Sequence, residues 1–205
     1  MDNFRKQIPI FLTYLGISVI ATILLGFKIV GTPYFITMTV VTIIATSYIL
    51  AKSRTLDITE RRLSPTRSFL WIIATTLGII VIQLVISEIL VQFFNVSLSA
   101  NTQDLITYMK FAPYYVIYPL VCAPIMEEII FRKLMFTDLN QYIGFGMSAA
   151  LSSLLFAFLH QDSFFLVYFF IGLFLCFIYS RTKNIYINMM AHILMNLIVI
   201  LINFA

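Results

Sequence analysis

Two adjacent glutamates and the chain's only two histidines all fall inside strongly apolar stretches. Glu127 and Glu128 stand in Met126-Glu127-Glu128-Ile129-Ile130-Phe131-Arg132. His160 closes Phe156-Ala157-Phe158-Leu159-His160, and His192 opens His192-Ile193-Leu194-Met195-Asn196. A charged side chain near the centre of a bilayer costs about 2.5–3.5 kcal/mol on insertion scales. Carboxylates and imidazoles are also the groups that move protons in catalysis. Their recurrence in lipid-soluble sequence points to chemistry rather than to simple spanning.

Helical spacing separates the two glutamates. Each residue of an α-helix advances about 100°, so Glu128 and Arg132 lie about 40° apart on one face, while Glu127 lies about 140° from Arg132. An (i, i+4) pair of this kind forms an ion pair along the helix. Glu128 and Arg132 therefore read as a structural pair, and Glu127 as the carboxylate free to face the bundle interior as a general base or acid. His192 and Asn196 share a face by the same spacing, and Asn188 extends it into a polar stripe. An imidazole above a carboxamide can stabilise a developing oxyanion, or simply bond to neighbouring helices. Asn188, near the start of its segment, fits the second role. His160 shares a face with Phe156 and Ser152.

Glu127, His160 and His192 come from three separate apolar segments. Two histidines with a carboxylate can hold a catalytic zinc ion; the same set can instead position a water directly, with Glu127 as its base. No His-Glu-x-x-His occurs, and spacing alone leaves both modes open. Cys122 and Cys176 are far apart without a Cys-x-x-Cys, which removes a redox or structural zinc motif. Glu88 is a further intramembrane carboxylate without a partner at helical spacing, and reads as a substrate-path or bundle-packing residue.

The elements that must position these groups are transmembrane helices. The 205 residues are 61% hydrophobic and 11% charged, with mean hydropathy +0.98. Soluble domains sit near 25% charged. A helix crosses the hydrocarbon with about 20 residues, and the apolar runs give seven spans: Ile8–Val30, Pro33–Ala51, Phe69–Phe94, Ala112–Phe136, Phe145–His160, Phe164–Ser180 and Ile185–Phe204. Continuous rather than alternating runs favour helices over a β-barrel. The expected fold is all-α, one polytopic bundle with a polar intramembrane cavity. Residues 1–110 would supply N-terminal spans and 111–205 the motif-bearing core. No cleavable signal peptide is evident.

With the N-terminus in the cytoplasm, eleven of the thirteen Lys and Arg residues face inward, and only Lys28 and Lys110 face out. That satisfies the positive-inside rule. The basic loop from Lys52 to Arg67 reads as a topology determinant touching anionic lipid, and nothing in it resembles a nucleic-acid platform. The expected location is a bacterial plasma membrane.

Three motifs occur in order on separate spans: Glu-Glu-x-x-x-Arg from Glu127 to Arg132, Phe-x-x-x-His from Phe156 to His160, and His-x-x-x-Asn from His192 to Asn196. Together they resemble the CPBP family of intramembrane proteases, which includes the type II CAAX prenyl endopeptidases and the bacteriocin-processing or immunity proteins of the Abi group. The resemblance covers about the C-terminal half, from Pro113 to Asn203. It implies a helical bundle with a conical cavity that hydrolyses a peptide bond of a membrane-associated peptide or protein tail. By the same resemblance Glu127 activates water with help from His160, His192 and Asn196 stabilise the oxyanion, and Glu128, Arg132 and Phe156 support the site. It favours a glutamate-activated water without a required cofactor, with a divalent metal such as zinc on Glu127, His160 and His192 as the alternative. Peptide maturation or bacteriocin self-immunity are the expected roles. A catalytically silent scaffold that regulates a partner membrane protein is the rival reading. An ion-coupled transporter ranks last, because no internal repeat or paired broken helices are present. The oligomeric state is not legible.

Overall fold

The computed structural model describes residues 2–96 and 99–204, and among these there is helix and no strand. Helix α1 (Asp2–Gly26) is joined to α2 (Thr32–Ser53), which starts beyond Gly31 with Pro33 in its first turn. Helix α3 (Pro65–Phe94) begins at an N-cap, where Ser64 Oγ accepts the Arg67 N–H and Pro65 fills a position that needs no donor. A short helix α4 (Ala100–Phe111) follows, capped in the same way by Ser99. Helix α5 occupies 113–136, α6 is Thr137–Leu159, α7 is Phe165–Thr182 and α8 is Ile185–Phe204.

Six helical stretches are long and apolar enough to cross a bilayer, and one of them, Pro113–Leu159, is broken at Gly144. Gly144 has φ 73° and ψ 170°, which glycine adopts without a Cβ penalty. The chain reverses there, so α5 and the main part of α6 run antiparallel and the bundle has seven passes. It is an integral membrane protein.

Two of the expected boundaries shift. The fourth span was expected to end at Phe136, yet winding continues from α5 into residues 137–143 and stops only at Gly144. Glu127 thus lies about 24 Å from that turn, at 1.5 Å per residue. His160 lies at a similar distance along the returning strand of the hairpin, so the two reach comparable depth. The segment between the third and fourth spans, read as a connection, contains α4. Its mixed polarity hides a 12-residue helix from a search for apolar runs.

Helix α5 is not uniformly wound. A 3₁₀ turn at Pro113–Val116 leads into a wide turn at Tyr118–Cys122, a short α segment Ala123–Glu127 and a second wide stretch Glu128–Phe136. Wide, i→i−5 turns leave carbonyls out of register and recur at functional sites. Ala123 N–H bonds Tyr118 O in this pattern. The next donor in register would be residue 124, a proline, which has none. The Pro119 carbonyl is therefore orphaned by sequence, and Asn196 of α8 supplies the missing bond at 2.8 Å. In the second wide stretch, Ser152 Oγ of α6 bonds Phe131 O at 2.7 Å, and Thr137 Oγ1 bonds Arg132 O at 3.2 Å.

One apolar cluster gathers chiefly α1, α2 and α5 around Ile10, Phe35, Ile49, Ile129 and Leu134. A second gathers α3, α7 and α8 around Ile79, Leu175 and Ala191. Small residues bring helices close where the two meet: a Cβ on Gly172 of α7 would lie 2.8 Å from Ser153 Cβ of α6. At the basic end of the bundle, the α2–α3 connection packs against the α7–α8 turn. Arg61 N–H bonds Lys183 O, Asn184 Nδ2 bonds Arg61 O, and Glu60 pairs with Lys133 at 2.8 Å.

Candidate active site

Glu128 is completely buried and carries most of the polar bonding. Arg132 Nη1 reaches its Oε1 at 2.9 Å, one turn along the same helix, and Arg132 is itself fully buried. Asn188 Nδ2 bonds Glu128 Oε2 at 3.2 Å and the Leu175 carbonyl at 2.9 Å, tying α8 to α5 and α7. His192 Nδ1 lies 3.1 Å from Glu128 Oε1. The Arg132 guanidinium rests 4.2 Å from the Phe156 ring centroid, a cation–π contact from α5 to α6. Burying a charge requires such pairing and bonding, and here every helix of the C-terminal half except the hairpin turn contributes to it.

Glu127 is the contrasting neighbour. Its side chain keeps 14% of its exposure where Glu128 keeps none, and its carboxylate faces His192, Oε2 to Nε2 at 4.0 Å. The split between adjacent carboxylates is the one that 100° spacing predicts. The geometry adds that His192 is shared by both. Its Nδ1 side is fixed on Glu128, which leaves Nε2 directed at Glu127. At 4.0 Å, Glu127 Oε2 and His192 Nε2 are too far apart for a direct hydrogen bond. Tyr14 of α1 and Tyr118 of α5 stand in the electrostatic field of Glu127. Sequence reading passed over both tyrosines; an aromatic hydroxyl in mid-span rather than at an interface is the signal that marks them.

His160 ends α6. The last carbonyls of a helix lack intrahelical donors, and the His160 ring supplies one: Nδ1 lies 2.7 Å from Phe156 O. A carbonyl only accepts, so Nδ1 carries the proton and Nε2 keeps its lone pair. The Phe156 ring touches both imidazoles edge-on, with centroids 4.6 Å from His160 and 6.4 Å from His192. His160 also feels the Glu127 charge. Phe156 is thus the spacer that sets the two histidines around one point.

Asn196 projects from the His192 face, as its spacing predicts, with one amide hydrogen on Pro119 O. A carboxamide nitrogen has a second hydrogen, which remains for a ligand. Asn188 is the helix-to-helix bond that its position near the start of the span suggested. Glu88 is not brought to this centre. It lies exposed on α3, and Gln92, four residues on, bonds it; this corrects both its reading as a bundle-packing residue and the expectation that it has no partner at helical spacing.

A catalytic divalent ion needs at least three donors at about 2.0–2.2 Å. Among the described residues, no three His, Cys, Asp or Glu side chains converge as a ligand group. His160 and His192 each commit Nδ1 to a protein acceptor, which leaves the two Nε2 atoms and the Glu127 carboxylate as the donors a divalent ion would meet, with Glu127 Oε2 and His192 Nε2 4.0 Å apart. No step below passes through a metal.

Residues 109–198 match the family described as type II CAAX prenyl endopeptidase Rce1-like. A Bacillus subtilis (strain 168) protein named "Putative membrane peptidase YdiL" is 36% identical over 104 residues, 50% of this chain and 43% of that protein. The membrane-embedded CAAX protease MroQ of Staphylococcus aureus (strain USA300) is 31% identical over 126 residues, 58% of this chain and 51% of that protein. The aligned part of the chain spans about half the length of these curated relatives. No solved structure matches it. The matched stretch contains all three motifs and every side chain bonded to Glu128, so the C-terminal half of this chain is similar to the Rce1-like type II CAAX prenyl endopeptidases.

Proposed function

We propose that this protein is an intramembrane endopeptidase that hydrolyses a peptide bond with a water activated by Glu127. The observation that carries the reading is the pairing of a partly accessible carboxylate with an imidazole 4.0 Å away, whose other nitrogen is fixed on a buried, charge-balanced glutamate. Glu127 takes a proton from the water as its oxygen attacks the scissile carbonyl carbon. His160, with its free Nε2, orients that water. Negative charge moves to the carbonyl oxygen, where the second amide hydrogen of Asn196 stabilises it, joined by His192 in its imidazolium form, the form that has a proton on Nε2 as well as on the Nδ1 held by Glu128. Collapse breaks the C–N bond, and the proton held by Glu127 passes to the departing amine. Glu128, Arg132 and Asn188 hold His192 in place and do not meet the substrate.

The substrate class is a membrane-associated peptide or protein tail, because the site lies between helices and not at an aqueous surface. Maturation of a secreted or signalling peptide, or self-immunity to a bacteriocin, are the roles that such chemistry would serve. The relative named a CAAX protease supports the peptidase class. In a test, wild-type protein and Glu127→Ala are reconstituted in liposomes with a library of membrane-inserting peptides, and products are read by mass spectrometry. Wild-type-specific products are expected. Identical product patterns from both would remove Glu127 from catalysis and favour a scaffold.

A further inference from the structure

The ring of Tyr168, on α7, stacks on His160 with centroids 4.0 Å apart and planes inclined by 23°. No other aromatic pair among the described residues is so close and so nearly parallel. The Tyr168 hydroxyl does not end in lipid. It donates to Asp162 Oδ2 at 3.2 Å and lies 3.5 Å from Asn101 Nδ2. Asp162, in the α6–α7 connection, also accepts from Ser99 Oγ, from Ser163 Oγ at 3.2 Å and from the Phe164 N–H at 3.2 Å. Ser99 is the N-cap of α4. A chain of contacts thus runs from α4 through Asp162 and Tyr168 to the face of the His160 ring.

We infer that Tyr168 is a positioning residue for His160, and that Asp162 and Ser99 form a clasp that holds Tyr168 in place. The physical need is plain. His160 lies beyond the last residue of α6, and the next residue, Gln161, has φ +49°, so the backbone turns away at once. A terminal imidazole fixed by one bond to Phe156 O can still pivot about that bond. Phe156 blocks one side edge-on, and Tyr168 closes the face. Between them Nε2 has a single direction. Other groups acting on the ring are Glu127 and Arg132 from α5 and His192 from α8, and none of them restrains its rotation. This inference rests on the proposed role of His160, but the placement of the ring is measurable without any substrate.

The chain has only two histidines, so isotope labelling of histidine gives two ring spectra in detergent or nanodiscs. In the wild type, His160 is expected to show the Nδ1–H tautomer and an upfield shift from the Tyr168 ring current. Tyr168→Phe keeps the stack and the upfield shift but loses the hydroxyl held by Asp162, so partial mixing of the tautomers is expected. Tyr168→Leu should abolish the upfield shift and mix the tautomers. Asp162→Asn cuts the clasp from a loop and leaves every helix residue in place; it should produce partial mixing. With a cleaved peptide in hand, Tyr168→Leu should lower kcat by about 10- to 100-fold with KM little changed, and Tyr168→Phe, which keeps the stack without the clasp, should fall between Tyr168→Leu and the wild type. Wild-type His160 spectra in both Tyr168→Leu and Asp162→Asn would overturn the inference. Where Tyr168→Leu does not fold, a wild-type spectrum in Asp162→Asn overturns it alone. Altered spectra with full turnover would overturn the catalytic relevance of the positioning. Should no peptide be cleaved by wild-type protein, the endopeptidase reading fails while the spectra still decide the positioning.

Discussion

The two halves of the bundle hide polar groups in opposite ways. In α1–α3 the buried polar side chains are mostly threonine and serine, and they bond their own helix. Thr42 reaches Met38 O, Thr46 reaches Thr42 O, Ser53 reaches Leu50 O and Thr76 reaches Ile72 O, with one longer contact from Thr76 to Ala191 O. In the C-terminal half Ser148 and Thr182 do the same, but the amide, imidazole and carboxylate groups add bonds that cross between helices: Asn188 and His192 to Glu128, and Asn196 to Pro119 O, with Ser152 to Phe131 O beside them. Burial differs most at the extremes, with α2 level with Pro113–Leu159 at 33%. Only 11% of the apolar window of α1 is buried inside the bundle, against 44% for α7. A hydroxyl satisfied one turn back carries no information about a neighbouring helix. A carboxylate or carboxamide satisfied across a gap fixes where that neighbour must be. The first half is a wrap, and the second half is an assembled site.

The comparison can be broken first at Glu127. Replacing it with Gln should lower cleavage by about 10²–10⁴-fold, the usual worth of a positioned base, with the melting temperature little changed because nothing else depends on that carboxylate. Arg132→Ala should act the other way. It strands the Glu128 charge in the core and should cost about 3–5 kcal/mol of stability, read as a fall in the thermal transition. Pairing it with Glu128→Gln should recover part of that loss. Asn196→Ala removes the side-chain bond to Pro119 O and one proposed oxyanion donor. About 1–3 kcal/mol of stability is expected to go, together with a kcat deficit that Asn196→Gln does not repair.

Asp162 gives a smaller, pH-dependent effect at the membrane surface. Burial raises its pKa, but bonds from Ser99, Phe164 N–H, Tyr168 and Ser163 outweigh burial and hold it below the ordinary aspartate range. A depressed carboxylate stabilises the fold above its unfolded pKa of about 3.9. That contribution fades as pH falls through the folded value. The melting-temperature gap between wild type and Asp162→Asn should therefore be full at neutral pH and shrink below about pH 4. A constant gap would show that the charge of Asp162 is irrelevant. Smallest of all, Thr42→Val should change stability by about 0.5–1 kcal/mol, because the hydroxyl it removes bonds chiefly to its own helix and otherwise only to the weak acceptor Cys122 Sγ.

Much of this was legible before any coordinates. Apolar runs of membrane-spanning length gave the seven passes, since lipid leaves a helix no other way to satisfy its backbone. The separate fates of Glu127 and Glu128 followed from 100° of rotation, and the His192–Asn196 face from 400°. Three features were not legible. Winding through 137–143 is polar and looks like a loop, so the apolar run stops at Phe136, short of the turn at Gly144. The bond from Asn196 to Pro119 O depends on a wide turn followed by Pro124, a coincidence visible only once the winding is known. Tyr168 and Asp162 reach His160 from another helix and a loop, and no spacing rule connects them. Local periodicity places residues on faces; which faces meet is a property of packing.

The most direct test of the central claim is the fate of the attacking oxygen. Wild-type protein and Glu127→Gln, reconstituted in matching liposomes and shown to be equally folded, are given one cleaved peptide in ¹⁸O-enriched water. The account predicts one ¹⁸O atom in the new carboxyl group with the wild type and essentially no product with the variant. Labelled product from Glu127→Gln at the wild-type rate would contradict it.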